Sequence, residues 1–148
     1  MPKLCRTMPT LEIWGDAMFS VNDDLSIYAT RGDIVFFEVS AEEENTGAAY
    51  FFEAGDVVRI KIMQKKNPGN VVLEKSFPVE EKTDKVSILL TGEEMKFGDV
   101  ISKATDYWYE IELNPDTVPQ TIVGFDEDGA KIFRLYPEGA DMEVANAV

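Results

Sequence analysis

Apolar and polar residues alternate in three stretches between Asp56 and Leu113: Val57-Val58-Arg59-Ile60-Lys61-Ile62, Val86-Ser87-Ile88-Leu89-Leu90 and Tyr107-Trp108-Tyr109-Glu110-Ile111-Glu112-Leu113. A period of two places successive side chains on opposite faces of an extended chain, so each stretch predicts a half-buried β-strand. Ile34-Val35-Phe36-Phe37-Glu38-Val39, rich in β-branched and aromatic residues, predicts another, after a pattern that begins at Leu25-Ser26-Ile27-Tyr28 and turns at Arg31-Gly32-Asp33. Tyr50-Phe51-Phe52 is a further short candidate before Gly55-Asp56.

The joints between these stretches carry turn chemistry. Asn67-Pro68-Gly69-Asn70 presets φ at Pro68 and offers Gly69 for the positive φ of a type II turn, predicting an antiparallel hairpin between strands 57–64 and 71–77. Thr83-Asp84-Lys85 leads into strand 86–90, and Asp126-Glu127-Asp128-Gly129 separates 121–125 from 131–136. One interruption is helical. Thr91 followed three residues later by Glu94 has the form of a capping box, and Gly98 offers a left-handed stop, so one or two helical turns are expected from Thr91 to Phe97.

Seven to eight short strands with one short helical turn predict an all-β fold, an immunoglobulin-like antiparallel β-sandwich. The helical crossover before the Tyr-rich strand has the place of the tyrosine corner in such sandwiches. There Tyr107 is either the residue whose hydroxyl bonds back to the main chain or a strand residue facing the core. Residues 1–24 hold Pro2, Pro9 and an apolar cluster without sustained periodicity, and are expected to form an N-terminal arm. The β-sandwich domain spans 25–137, and 138–148 reads as a C-terminal tail.

With 148 residues the chain suffices for one domain, and no apolar run approaches the ~20 residues of a transmembrane helix. Met1 to Arg6 lack the apolar run of a secretory signal, and the single Cys5 has no internal disulfide partner, so synthesis in the cytoplasm is expected. The formal net charge of −14 repels nucleic-acid phosphates and anionic lipid, which argues against DNA and membrane as partners.

The chain contains no His, which removes Ser-His-Asp, Cys-His and His-based zinc chemistry. A hydrolase would have to rely on two carboxylates, and nothing in the sequence singles out a pair among the many Asp and Glu. Asp126-Glu127-Asp128-Gly129 lacks the further ligand positions of a calcium loop and reads as a turn. Arg31-Gly32-Asp33 is good turn chemistry rather than an adhesion peptide, and Lys65-Lys66 is a solvated pair beside the hairpin tip. No catalytic, cofactor or metal residue is assigned.

Two candidate interaction sites remain. Alternation leaves Trp108 alone of the Tyr107-Trp108-Tyr109 run on the outward face, where it could meet a ligand or a subunit. Leu11, Ile13, Trp14, Met18 and Phe19 are too apolar for a free tail and must cover either their own sandwich or a neighbouring subunit.

From Arg31 to Asp141 the chain resembles small immunoglobulin-like structural modules of tailed phages and prophages of Gram-positive bacteria, akin to the N-terminal domain of the baseplate upper protein. The residues that carry the resemblance are "RGDIVFFEV", "FEAGDVVRIKI", "VVLEKSFPV", "VSILLTGEE", "DYWYEIEL" and "KIFRLYPEGAD", about three-quarters of the chain. The resemblance implies a non-enzymatic virion protein of a tail, baseplate or fibre attachment point, whose partners are copies of itself and other virion proteins. The long C-terminal extension by which baseplate proteins carry receptor-binding subunits has no counterpart in these residues, so a head decoration or head-fibre base is the alternative position. A carbohydrate-binding module that touches a host surface glycan through Trp108 is the alternative from another class.

Overall fold

The computed structural model describes residues 4–13, 20–21, 25–43, 48–67, 69–98, 103–125 and 129–137. Ten strands are present among them: β1 (Leu4–Ile13), β2 (Ser20–Val21), β3 (Ile27–Thr30), β4 (Val35–Glu43), β5 (Val57–Gln64), β6 (Val71–Pro78), β7 (Val86–Leu90), β8 (Thr105–Leu113), β9 (Gln120–Val123) and β10 (Lys131–Tyr136). A 3-10 turn, Glu94–Lys96, is the one helical element among the described residues.

The strands form two sheets, a smaller one in the order β1-β4-β7 and a larger one in the order β2-β3-β10-β8-β5-β6, with β9 also paired to β8. Setting β4 and β7 in one layer against β5, β8 and β10 in the other is the strand distribution of an immunoglobulin-like sandwich. The layers meet along two flanks, where β1 lies against β9 and β6 against β7.

Alternation decides which side chains enter the space between the layers. Val35, Phe37, Val39 and Ala41 of β4 are buried, as are Val58, Ile60 and Ile62 of β5, Val86, Ile88 and Leu90 of β7, and Tyr107, Tyr109, Ile111 and Leu113 of β8. Their intervening neighbours face outward and are at least partly exposed, apart from Met63. Ile62 and Met63 are successive buried residues of β5, one on each face of the sheet, and beside them the register shift leaves Val72 as an extra residue on β6. At the centre, Phe133 stands edge-on to Phe97 and Tyr109 at centroid distances of 5.9 and 6.3 Å. Such T-shaped contacts set the positive ring edge against the negative face.

The predicted 57–64/71–77 hairpin is β5 and β6, paired from Val57↔Pro78 to Met63↔Val71. Its turn closes with the Asn70 amide donating to the Asn67 carbonyl at 2.9 Å. Gly69 is not among the residues of positive φ, so the turn is not the type II expected from Pro68-Gly69.

The capping box forms: the Glu94 amide donates to Thr91 Oγ1 at 3.2 Å, and the Thr91 amide donates to Glu94 Oε1 at 2.9 Å. The turn ends at Phe97, which is already extended, and Gly98 with its φ of 72° follows it, so the stop is not the left-handed one expected. Beyond it Tyr107 is buried, with its ring edge-on to Phe97. Its hydroxyl occupies the space a Cβ on Gly98 would need, at 2.8 Å.

Three features depart from the sequence reading. Segment 4–13, expected as part of an arm, pairs with β4 from Leu4↔Glu43 to Ile13↔Phe37 and so is an outer strand of the smaller sheet. The pairing is not wholly antiparallel, because β3 runs parallel to β10, from Ile27↔Phe133 to Thr30↔Tyr136. A parallel neighbour needs a long connection, and here the intervening sandwich supplies it.

The third departure concerns 121–125 and 131–136, which are successive parts of one broken strand. β9 pairs with β8 at Ile111–Leu113, and β10 continues along the same edge of β8 from Tyr109 to Thr105. Gly124 and Phe125 lie beyond the end of β9, outside the strands. The adjacent burial of Ile122 and Val123 marks the place where the alternation fails.

Candidate functional site

Across the outer face of the larger sheet, Tyr28 of β3, Arg134 of β10 and Asp106 of β8 are direct cross-strand neighbours. Register therefore fixes their contacts. The Arg134 guanidinium lies 4.7 Å from the Tyr28 ring centroid and donates to Asp106 through Nε at 2.7 Å and through a second nitrogen at 3.2 Å. The two-pronged bond holds the Asp106 carboxyl below its usual range; partial burial opposes this, and the charges of Arg134 and Lys65 add to it. The same bond, with one to Tyr136, raises the Arg134 pKa further.

Arg134 and Asp106 help line a cleft of about 650 Å³ at one end of the larger sheet. Its walls come from three places. Gln64, Lys65 and Lys66 end β5 and begin the hairpin loop, Lys103 to Tyr107 enter β8, and Arg134 and Tyr136 end β10. Four cations and a single carboxylate line it, in a chain that carries twice as many Asp and Glu, 28, as Lys and Arg, 14. Arg134 is committed to Asp106. Lys65, Lys66 and Lys103 are exposed and make no ion pair among the described residues.

Elsewhere on the described surface, Arg59, Lys61 and Lys75 are neutralised locally, whereas exposed Lys82 and Lys96 make no ion pair among the described residues. Arg59 grips Asp116 with bonds of 3.1 and 2.7 Å, which lowers the Asp116 pKa, and Lys61 lies 3.5 Å from Glu112. Lys75 bridges the two sheets from β6, donating to the Leu89 carbonyl at 2.8 Å and to Glu94 at 2.7 Å. The Lys75 bond is the main reason the Glu94 carboxyl sits below its ordinary pKa, with the Thr91 amide next.

The residues predicted from sequence fall elsewhere. Trp108 is half-buried on the outer face, as alternation requires, while Tyr107 and Tyr109 point inward. It sits over a hollow of about 200 Å³ with Met63, Phe125 and Lys131, and Phe125 is 64% exposed at its rim. Leu11 and Ile13 lie on β1, opposite Val39 and Phe37. Trp14, Met18 and Phe19 fall outside the described residues.

Arg31 of the Arg-Gly-Asp turn is buried and donates to the Lys96 carbonyl at 2.9 Å, so the tripeptide is held against the 3-10 turn. Among the described residues no three His, Cys, Asp or Glu side chains gather in a way that could hold a metal ion. No helix among them is long and apolar enough to cross a membrane.

Sequence reasoning missed the cleft. Its cations are spread from Lys65 to Arg134, and only the β5-β8-β10 register joins them. The available signal was the Lys65-Lys66 pair with no acidic neighbour in an otherwise acidic chain. Comparison with protein-family models found no match, and comparison with curated proteins found none.

Proposed function

We propose that the chain is a non-enzymatic structural protein of a phage virion, assembling into a tail, baseplate or fibre-attachment structure through contacts with copies of itself and other virion proteins. The observation that supports this most is the open edge of the sandwich. β6 pairs only with β5 and β7 only with β4 among the described residues, so each sheet ends in a strand with one ladder partner, although Lys75 of β6 reaches the Leu89 carbonyl of β7. Such edges are templates for adding a neighbour's strand, and a symmetric particle supplies neighbours in number. Val71, exposed at the start of β6, adds apolar area to that flank.

The test is composition and position in the particle. Purified virions should contain the chain in many copies, and imaging should place its density on the tail, baseplate or fibre base. Particles that lack the chain overturn the proposal. Density on the capsid surface moves the protein to head decoration or a head-fibre base.

The hollow beneath Trp108 favours a second reading, a carbohydrate-binding module for a host surface glycan, because a half-exposed indole beside an exposed Phe125 offers apolar faces for a sugar ring. Host wall polysaccharide should then quench Trp fluorescence. Undiminished glycan binding by Trp108→Ala removes the residue from that reading.

A further inference from the structure

The three lysines of the cleft have no internal structural work, and their arrangement has a chemical consequence. Lys65 and Lys66 stand on one wall and Lys103 on another, in a cleft where Arg134 and Asp106 already neutralise each other. The Arg134–Asp106 pair is thus close to electrically balanced, while Lys65, Lys66 and Lys103 add three ammonium groups without an ion pair among the described residues, Lys65 near enough to Asp106 to feel its charge. In a chain of net charge −14, such a group of cations stands out against an acidic surface.

The kind of donor left free narrows the ligand. The planar fork of arginine suits carboxylate and phosphate alike, and the fork in this cleft is occupied by Asp106, so the donors left are point-charge ammonium groups, which favour the anion of higher charge. Ammonium groups are compact donors without a preferred plane, and they suit a tetrahedral oxyanion approached from several sides. A phosphate monoester near neutral pH carries a charge of about −1.5 to −2, more than a carboxylate presents from a similar volume. The volume of about 650 Å³ lies in the range of small-ligand sites and exceeds what a bare phosphate fills. Gln64, Thr105 and Tyr136 offer amide, hydroxyl and aromatic surface for the esterified group.

We propose that this cleft is a binding site for phosphate esters, held by Lys65, Lys66 and Lys103 beside the Arg134–Asp106 pair. The proposal is independent of the virion reading, since it rests on the cleft alone.

Calorimetry of the whole protein with sn-glycerol 3-phosphate and with tripolyphosphate tests it, beside hexaglutamate as an acidic peptide. Both phosphate compounds should bind, and added salt should weaken them. Each single substitution, Lys65→Ser, Lys66→Ser or Lys103→Ser, should weaken binding about tenfold, as expected for a charge-assisted hydrogen bond. Lys82→Ser removes the same charge outside the cleft and should change nothing. Amide resonances of Gln64, Thr105 and Tyr136 should shift during titration, locating the ligand without any variant.

Binding of the monoester at a strength near that of the chain assigns a free phosphate ester. Binding of tripolyphosphate alone would assign an inorganic polyphosphate and overturn the ester proposal. Absence of binding to either, equal binding by the triple lysine variant, shifts confined to other amides, or hexaglutamate binding as tightly as tripolyphosphate would each overturn the proposal.

Discussion

The hydroxyl of Tyr109 donates to the carbonyl oxygen of Leu25, joining two residues 84 positions apart. Leu25 has a φ of 68°, a left-handed conformation unusual for a bulky side chain, and it lies just before β3. The bond satisfies a carbonyl beside the core and holds the strained residue that aims β3 along β10. Tyr109→Phe removes the donor alone. It should cost about 1–2 kcal/mol, read as a lower urea midpoint with unchanged slope.

Glu94 sets an acid limb to stability. Its folded pKa lies below its ordinary value, so its contribution is fully present above about pH 4.3 and is lost as pH falls through the lower folded value. Glu94→Gln keeps the oxygen that accepts from Thr91 but loses the charge opposite Lys75. The variant should unfold at lower urea than the parent at pH 7, and the difference should shrink as the pH drops below about 4.

Two glycines should respond differently to a methyl group. A Cβ on Gly92 would stand 2.6 Å from the Gly32 carbonyl oxygen, a backbone atom that cannot swing aside. Gly92→Ala should therefore part the Arg31-Gly32-Asp33 turn from the 3-10 turn and cost about 1–3 kcal/mol. Gly55, with a φ of 98° and nothing near its missing Cβ, should lose only the conformational share, about 1 kcal/mol. Paired thermal melts of Gly92→Ala and Gly55→Ala give the ordering.

Salt should separate the two arginine pairs. Asp116 is 75% exposed, whereas the Asp106 side chain is only 27% exposed. In 1 M NaCl the effect of Asp116→Asn on the melting temperature should vanish, while that of Asp106→Asn should persist, because partly buried charges are screened less.

Removal of residues 1–13 should do more than free a partner surface. It strips β1 from β4 and leaves the smaller sheet with two strands and a bare edge on Val35–Glu43. Rapid hydrogen exchange along β4 and oligomers on size exclusion are expected. A truncated chain that stays monomeric, with β4 still protected, would contradict this role for β1.

Much of the sandwich was legible because one face of most strands is buried and the other wet. The strands at 57–64, 71–77, 86–90 and 107–113, and the Thr91–Glu94 box, were recovered close to their bounds for that reason. Strand β1 was not, because its pairing shifts register between Cys5 and Thr10 and Pro9 lies in the shifted stretch. A proline there reads as a breaker unless the strand is known to be an outer, bulged one. The acidic turn signal at 126–129 marked the break between β9 and β10, but not that both run along the same edge of β8. Trp108 was placed on the correct face by alternation alone, yet alternation could not foresee the cleft, whose residues meet only through cross-strand register.

The parallel pairing of β3 with β10 has a consequence for the timing of folding. Among the described residues of the larger sheet, β3 meets only β2 and β10, so its place there is completed by a strand made more than a hundred residues later. On the ribosome, β4, β5, β6 and β7 can emerge and begin to collapse. The sheet cannot close until Tyr136 has left the exit tunnel. A chain whose early segment waits for its last strand has a high contact order, folds slowly and exposes strand edges while it waits. The growing polypeptide is then most vulnerable to proteases and to other nascent copies in the interval between the synthesis of β8 and that of β10.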